Sequence, residues 1–328
     1  MKGNGYQSVL GAQIECYVAY KRALGRRFAS EARELRLLDR YLVDQAVTGL
    51  AEITGERLEA FLASRPRHRA RSYNHLLGVV RRLFAWLVVQ GVLAVSPLRS
   101  TPRRRTAPQR PFLFMPDQAR HLLQIAGSLP DANGAPSRGP TYRTVFALLY
   151  GLGLRVGEVA RLRCQDVDLG RELLIIRQTK FAKNRLVPFG PRVGQLVREH
   201  LQRRAEHTAP LVPDSPLFSF RNQRPIHPGT ISQTFHQLLP RLGLKLPPGV
   251  RSPHVHDLRH AFAVGALLRW YREGVDPASR LLPLATYLGH VDPASTAVYL
   301  TITDELLEQA GQRFEQLGRR VLSPDGAP

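Results

Sequence analysis

The chain has 328 residues, of which 43% are hydrophobic and 8% aromatic, a composition that supports a large core and excludes an intrinsically disordered protein. Its 47 Lys and Arg against 26 Asp and Glu leave a net charge of +21, which requires an anionic partner such as nucleic acid or an anionic membrane. Since residues 1–30 lack the layout of a signal peptide and no long apolar stretch is present, we expect a soluble, cytoplasmic protein that binds nucleic acid without a membrane role.

Residues 1–98 are predicted to form a helical bundle with a basic surface. Apolar residues recur at helical spacing in four segments, 7–24, 30–47, 55–64 and 72–91. Ser30, Thr54 and Ser72 stand where helix N-caps belong, and Gly91 is expected to end the fourth helix. Four short helices with basic surfaces indicate a compact DNA-binding domain.

Two arginine-rich segments are candidates for contact with a phosphate backbone. The first reads "SRPRHRARSYNH" and directly precedes the fourth predicted helix, although a solvated loop is its alternative interpretation. The second, residues 99–111, is a linker, because its prolines block helix continuation and stiffen an extended chain. The predicted DNA-binding residues of the two segments are Arg67, Arg69, Arg71, Arg103, Arg104 and Arg105.

Residues 112–328 are predicted to form a second, larger domain that is mainly helical. Its first two helices are indicated by "MPDQARHLLQIAG" and "TYRTVFALLYGLGL". The segment "RELLIIRQTKFAKNRLVPFG" changes to a β-branched run, a polar turn and a second short run, which predicts a β-hairpin. Further helices are predicted in "RVGQLVREHLQRR", "GTISQTFHQLLPRLG", "HDLRHAFAVGALLRWY" and "DELLEQAGQRFEQL".

The stretch "HVHDLRH", residues 254–260, concentrates groups that hold anions and move protons. His256 and His260 have the i, i+4 spacing of a helical metal site, but no glutamate lies between them and Cys16 and Cys164 form no metal-type pattern. A second interpretation is that His256 and Arg259 pair only within the fold. The third is an anion site, in which Arg259 holds two oxygens while a histidine gives or accepts a proton.

Other segments contain groups that fit the anion site. "GLGLRVGEVARL" places Arg155 after a Gly-rich turn with Glu158 one helical turn later, where we expect Glu158 to pair with an arginine. "ATYLGHVDPASTAVYL" contains His290 and, nine residues on, Tyr299, while the hairpin turn offers Lys180 and Lys183. Two arginines, two histidines, a lysine and a tyrosine suit attack on a phosphodiester without metal.

The second domain resembles the catalytic domain of the tyrosine recombinases, or phage integrase family. The motifs that carry the resemblance are "GLGLRVGEVARL", a lysine before "RLVP", "HDLRH", "LGH" and the tyrosine that follows. The resemblance implies a mainly α fold: a SAM-like helical core-binding domain (1–98), the linker (99–111) and a mixed α/β catalytic domain with a small sheet and a C-terminal tail helix (112–328). The catalytic residues it implies are Arg155, Lys180, His256, Arg259, His290 and Tyr299, with Lys183 as the alternative hairpin lysine.

The resemblance also implies the chemistry. Tyr299 would attack the scissile phosphate and remain attached to its 3′ side, so that a 5′ hydroxyl could reseal the strand without ATP, metal or any other cofactor. Arg155 and Arg259 would clamp the phosphate oxygens. His256 would take or pass on the tyrosine proton. His290 would form a hydrogen bond to the phosphate, and Lys180 would protonate the leaving 5′ oxygen.

The expected partners are double-stranded DNA recombination sites, further copies of the chain in a tetrameric synapse, and accessory DNA-bending or directionality proteins. The tail segment 304–317 is an amphipathic helix that either covers its own domain or, as in the resembling family, packs into a neighbour. Two alternatives stay open, a type IB topoisomerase and a DNA-binding architectural protein that no longer cuts. Tyr271 and Tyr287 are competing nucleophiles, which the spacing from "LGH" disfavours.

Overall fold

The computed structural model describes residues 5–104, 110–177, 184–207, 211–220, 223–290, 292 and 294–301. The chain divides into two compact units, one ending at Pro108 and the other beginning at Gln109. Both are built mainly from helices, and the second contains one small sheet, which confirms the predicted fold class. No helix in the described ranges is both long enough and apolar enough to span a membrane.

The first unit is a four-helix bundle. Its helices are α1 (Gly11–Ala23), α2 (Ala29–Asp44), α3 (Gly55–Ala63) and α4 (Ala70–Val89). Thr54 caps α3 as predicted, since its side chain accepts a 3.2 Å hydrogen bond from the amide of Arg57. Gly91 follows α4 with a φ of +70°, which confirms that it ends this helix.

The two predicted serine caps of the first unit are wrong. The N-cap of α2 is Phe28, in the left-handed region, and that of α4 is Arg69, so both helices begin before the serines. A serine cap contributes only about 1 kcal/mol. Packing of the buried faces of α2 and α4 against each other outweighs that preference and sets where the helices begin.

The second unit packs its other elements around one buried helix. Its helices are α5 (Pro116–Gly127), α6 (Arg138–Gly151), α7 (Val156–Arg161), α8 (Pro191–His207), α9 (Pro228–Leu238), α10 (Asp257–Arg272), α11 (Pro277–Leu288) and α12 (Ala294–Ala297). Helix α6 is buried on most of its surface and packs against α5, α8 and α10. The burial of a side chain such as Phe146, which is fully buried, stabilises the fold by roughly 2 kcal/mol.

The sheet lies beside this helical core. Its strands are β1 (Val167–Asp168), β2 (Leu173–Ile176) and β3 (Arg185–Pro188), in the order β1-β2-β3 and antiparallel throughout. The pair β2–β3 confirms the predicted hairpin, with Leu174 opposite Val187 and both side chains buried. Strand β1 and helix α11 were not predicted from the sequence.

Candidate active site

A glycine shapes the backbone just before Arg155. Gly153 has a φ of +60°, and a Cβ at this position would lie 2.5 Å from the ring of Phe262 in α10. Only glycine fits both the conformation and the close approach. The chain can therefore turn sharply from α6 into α7, with Arg155 as the half-buried N-cap residue of α7.

Both predicted arginines are held by the carbonyl end of α11. Arg155 donates from Nη1 to the carbonyl of Leu288 at 3.3 Å and from Nη2 to that of Gly289 at 2.9 Å. Arg259, which is 1% exposed, donates from Nη2 to Leu288 at 2.6 Å and from Nη1 to Gly153 at 2.7 Å. The last carbonyls of a helix lack partners within it and carry the negative end of its dipole. The end of α11 therefore gathers two cations that stand far apart in the sequence.

The glycine of the "LGH" motif ends α11. Gly289 has a φ of +68° and serves as the C-cap. A Cβ there would lie 2.9 Å from Nη1 and 3.2 Å from Cζ of Arg185, the first residue of β3. A side chain at this position would therefore strain the backbone and displace an arginine of the site.

Glu158 links Arg155 to Arg185. Its Oε1 accepts from Nη1 of Arg155 at 2.8 Å, and its two oxygens accept a bidentate pair from Arg185 at 2.9 and 2.8 Å. Arg185 also donates from Nε to the carbonyl of Tyr287 at 2.8 Å. Burial raises the pKa of Glu158, but the hydrogen bonds and charge of Arg185, together with those of Arg155, outweigh it and lower the pKa to about 2. The prediction that Glu158 pairs with a neighbouring arginine is confirmed.

His256 and His290 stand at the edge of the arginine pair. His256 directly precedes α10 and is exposed, while His290 follows Gly289, with its Nδ1 2.6 Å from Oγ1 of Thr296. Desolvation by the surrounding protein, followed by the positive charges of Arg259 and Arg155, lowers the pKa of each imidazole to about 4. Both rings are therefore neutral at physiological pH, and an anion that offsets those charges would make them more basic.

Tyr299 lies on the same site, in a 3₁₀ turn (Val298–Thr301), and only 3% of its surface is exposed. Its ring stacks on that of His290, with centroids 6.3 Å apart. Its hydroxyl lies 3.0 Å from Nδ1 of His260, and not against His256 as predicted from the sequence. Burial raises the pKa of Tyr299, although the charge of Arg259 opposes the effect, so the hydroxyl is protonated.

Sequence reasoning missed two residues of this site. Arg185 stood in the quoted "RLVP", but nothing in its spacing indicates the bidentate pair with Glu158. His260 belongs to "HVHDLRH", yet the sequence alone left it without a role. In both cases the contact joins segments that are remote in the chain, and local pattern carries no signal for it.

The hairpin lysines, Lys180 and Lys183, lie outside the described residues. The strands before and after the turn are described and are β2 (Leu173–Ile176) and β3 (Arg185–Pro188). Because Arg185 begins the second strand and bonds Glu158, this end of the hairpin is anchored at the arginine site.

The predicted DNA-binding arginines of the first unit have different surroundings. Arg67 donates to Oε2 of Glu34 at 2.6 Å, so its charge is already paired. Arg69 and Arg71 are exposed at the start of α4.

The linker lies along the same helix. The amide of Arg103 donates to Oδ1 of Asn74 at 2.7 Å, and its guanidinium stacks on Tyr73 at 4.0 Å from the ring centroid and donates to the carbonyl of Arg67. Arg104 is exposed, whereas Arg105 lies outside the described residues. The attachment of Arg103 places the exposed Arg104 beside the basic start of α4.

His256 and His260 are candidate metal ligands because of their i, i+4 spacing. His256 and His260 pack edge to face with their centroids 4.7 Å apart. Within the part of the chain that the structure describes, no three His, Cys, Asp or Glu side chains are grouped so that they could hold a metal ion.

Comparison with known proteins adds sequence relatives and structural neighbours. The model of the phage integrase family matches residues 114–305. The chain is 33% identical to y4rB of Sinorhizobium fredii, which is described as an integrase/recombinase, over 92% of this chain and 96% of that protein. It is 26% identical to the tyrosine recombinase XerC of Xylella fastidiosa over 88% and 90% of the two chains.

Two solved structures share the fold. The Tn1549 transposon integrase, in complex with transposon right end DNA, matches with a TM-score of 0.64 and 16% identity over 94% of this chain and 98% of that one. The lambda integrase dimer bound to a COC′ core site matches with a TM-score of 0.60 and 18% identity over 88% and 76%.

Proposed function

The chain belongs to the phage integrase family, and we propose that it is a site-specific DNA recombinase that cuts and rejoins strands through a covalent bond between Tyr299 and a 3′ phosphate. One observation carries the proposal. The arginines, histidines and tyrosine predicted from separate sequence segments meet at the end of α11, and the hydroxyl of Tyr299 is held at the same point.

The charge of the site fits the reaction. Among the described residues, Arg155 and Arg185 pair with Glu158, the charge of Arg259 lies near them, and Asp257 is paired with Arg251. Two positive charges of the arginines Arg155, Arg185 and Arg259 are therefore left uncompensated. A phosphodiester carries one negative charge, and its five-coordinate transition state carries two. A site with this excess charge would bind the transition state more strongly than the substrate, which is the requirement for catalysis.

Arg259 still has a donor to offer. Its Nε is buried and has no hydrogen-bond partner among the described residues. Burial and the charge of Arg155 lower its pKa to about 10, so it remains a cation at neutral pH. An unpaired buried donor is costly, and a phosphate oxygen would satisfy it.

The remaining roles follow from position. Arg155 and Arg259 clamp the non-bridging oxygens of the phosphate, and His256 and His290 donate hydrogen bonds to it. Lys180, or Lys183 as the alternative, protonates the 5′ oxygen as it leaves. Cleavage and rejoining use protein groups only. The phosphotyrosyl ester keeps the energy of the broken phosphodiester bond, so attack by a 5′ hydroxyl on this ester reverses the reaction.

The first unit and the linker supply DNA affinity. Arg69, Arg71 and Arg104 are exposed and fit contacts with phosphates, whereas Arg67 and Arg103 are engaged by protein groups and fit positioning of the linker. The net charge of +21 supports binding to duplex DNA.

The assembly that we propose is a tetramer on two DNA sites, since recombination exchanges four strands. Two apolar cavities in the second unit, of about 410 and 450 Å³, lie on either side of Phe262 and Arg269 and could receive an apolar helix. The tail segment 304–317, which lies outside the described residues, has such a face, and packing of this segment into a neighbouring copy would link the active sites cyclically.

A trapping assay tests the activity. Nicked duplexes tiled across the DNA on either side of the gene would be incubated with the protein, and complexes that survive denaturation would be isolated and sequenced. We expect covalent capture of a fragment with inverted repeats by the natural chain and by the control Tyr271→Phe, but none by Tyr299→Phe. Duplex binding without any covalent capture by the natural chain would instead support an architectural DNA-binding protein.

A further inference from the structure

The hydroxyl of Tyr299 has a specific partner in His260. The distance from Oη to Nδ1 is 3.0 Å, and the two ring centroids lie 5.5 Å apart. His260 is the fourth residue of α10, one position after the buried Arg259. The same turn of helix that buries an arginine thus fixes an imidazole against the atom that would attack DNA.

The other side of the His260 ring faces a buried carboxylate. Nε2 of His260 lies 3.9 Å from Oδ1 of Asp257, which is fully buried. Asp257 accepts hydrogen bonds from Nη1 and Nη2 of Arg251 and from the amide of His254, the last at 2.8 Å. At 3.9 Å the carboxylate makes no hydrogen bond to Nε2, and Arg251 offsets much of its charge. Its position beside Nε2 biases the ring towards the tautomer with the proton on Nε2, which leaves Nδ1 as an acceptor towards Tyr299.

We propose that His260 is the general base of the reaction, accepting the proton of Tyr299 on Nδ1, with Asp257 as the positioning residue that selects this tautomer. In cleavage the O–H bond of Tyr299 breaks, its proton moves to Nδ1, and Oη bonds to phosphorus while the bond from phosphorus to the 5′ oxygen breaks. The 5′ oxygen takes a proton from the hairpin lysine. In rejoining, the phenolate leaves and recovers its proton from His260. This role rests on the proposed recombinase activity.

The surroundings of His260 couple its basicity to DNA. Burial lowers the pKa of His260 to about 3, and the positive charges of Arg251 and Arg259 act in the same direction. The ring is therefore neutral, with Nδ1 able to accept a proton, but it is a weak base as long as those charges are not offset. A bound phosphate would offset the charge of Arg259 and make the imidazole a stronger base only when substrate is present.

The same geometry gives His256 a different task. Its ring packs edge to face on His260 at 4.7 Å, and His260 stands between it and the tyrosine hydroxyl. His256 is also the more exposed of the two. It is therefore better placed to bond a phosphate oxygen, while His260 takes the proton.

Single-turnover cleavage separates a base from a structural contact. The substrate is the fragment captured in the trapping assay, nicked and carrying sulfur in place of the 5′ bridging oxygen, so that the leaving group needs no proton. His260→Ala and His260→Gln would be compared with the control His236→Ala, which removes an exposed histidine of the same unit that contacts the carbonyl of Ser232.

We expect both His260 variants to cleave about 100-fold more slowly than the natural chain at pH 7, since a general base contributes at least about that factor. Their rates should rise about tenfold per pH unit from 7 to 9, because the ionised fraction of a tyrosine grows by that factor below its pKa. The control should match the natural chain. Glutamine keeps a hydrogen-bond partner but cannot accept the proton, so recovery of the rate by His260→Gln would overturn the proposal. A slow rate that does not change with pH would overturn it too.

A measurement that needs no substitution at His260 guards against misfolding of the His260 variants. Nitrogen-15 NMR of the histidine rings should show His260 neutral with its proton on Nε2, and Tyr299→Phe should change the Nδ1 resonance most. A proton on Nδ1 would contradict the role. If the natural chain forms no covalent complex, the recombinase activity itself fails, whereas normal covalent capture by both His260 variants removes only the role of His260.

Discussion

Removal of the charge of Glu158 should destabilise the second unit by about 3 kcal/mol. The pKa of this carboxyl falls from 4.5 to about 2 on folding, which corresponds to about 3 kcal/mol of stability at pH 7. Glu158 is 4% exposed, so solvent screens its bonds to Arg155 and Arg185 very little. Glu158→Gln keeps the volume but leaves both arginines beside a neutral amide, a change of the kind that costs about 3–5 kcal/mol when a buried pair is broken.

The pH dependence gives the sharper test. Because the pKa is lower in the folded state, the stabilisation is complete above pH 4.5 and is lost as the pH falls towards 2. At pH 3 only roughly 1 kcal/mol should remain between the natural chain and Glu158→Gln. Other titrating groups are common to both proteins and cancel in this difference.

Urea unfolding followed by tryptophan fluorescence can report on the second unit alone. The chain has two tryptophans, and a Trp86→Phe background leaves Trp270 of α10 as the probe. Glu199→Gln is the matched control, since Glu199 forms a partly exposed pair with Arg203 at 3.8 Å and should change stability by less than about 1 kcal/mol. A loss below 1 kcal/mol for Glu158→Gln at pH 7, or an equal loss at pH 7 and pH 3, would refute the electrostatic account of this residue.

Three further predictions concern the backbone, the linker and the tail. Gly289→Ala should lower the free energy of unfolding by about 1–2 kcal/mol, because the φ of Gly289 is +68°. It should also slow cleavage, because the new methyl would lie 2.9 Å from Nη1 of Arg185. Cleavage at the natural rate would contradict the close approach. Substitution of Arg103, Arg104 and Arg105 together by alanine should lower the slope of log K for DNA against log salt by roughly 0.9 for each phosphate that the protein no longer neutralises. Gel shifts over a salt series measure this slope. An unchanged slope would mean that none of the three arginines touches DNA. Deletion of 304–328 should leave a folded chain that binds one half-site without pairing two, so that light scattering with DNA detects no tetramer; recombination by the truncated chain would refute the proposed role of the tail.

The sequence predicted most of the helices because their apolar periodicity survives in the fold. It also singled out Arg155, Arg259, His290 and Tyr299, which the structure brings together at the end of α11. Arg155 and His290 stand close to glycines and Arg259 within a charged cluster, where local chemistry is unusual enough to be noticed, whereas Tyr299 was singled out by its spacing from "LGH". Their proximity in space, however, came from the family resemblance rather than from spacing.

The two elements that were not predicted have different reasons. Helix α11 carries a start signal, since Asp276 is its N-cap and Pro277 follows it, but Pro283 inside the helix is a residue that normally ends one. Strand β1 has only two residues and exists because β2 pairs with it. Ser30 and Ser72 were wrong as caps because packing, and not capping, sets the ends of α2 and α4.

The contacts that define the site are tertiary and could not be predicted from pattern. Arg185 meets Glu158, and His260 meets Tyr299, across long stretches of chain. The carbonyls of Leu288 and Gly289 hold two arginines through backbone atoms, which carry no sequence identity. The requirements for glycine at 153 and at 289 did leave a trace in the sequence.

The identity of the bond between protein and DNA tests the central claim most directly. Trypsin digestion of the trapped complex should release a peptide that contains both Tyr287 and Tyr299, and fragmentation by mass spectrometry locates the attached nucleotide within it. We expect a phosphate ester on Tyr299 at the 3′ end of the cut strand, with a free 5′ hydroxyl that a kinase can label. Attachment to any other residue, or to a 5′ end, would contradict the claim.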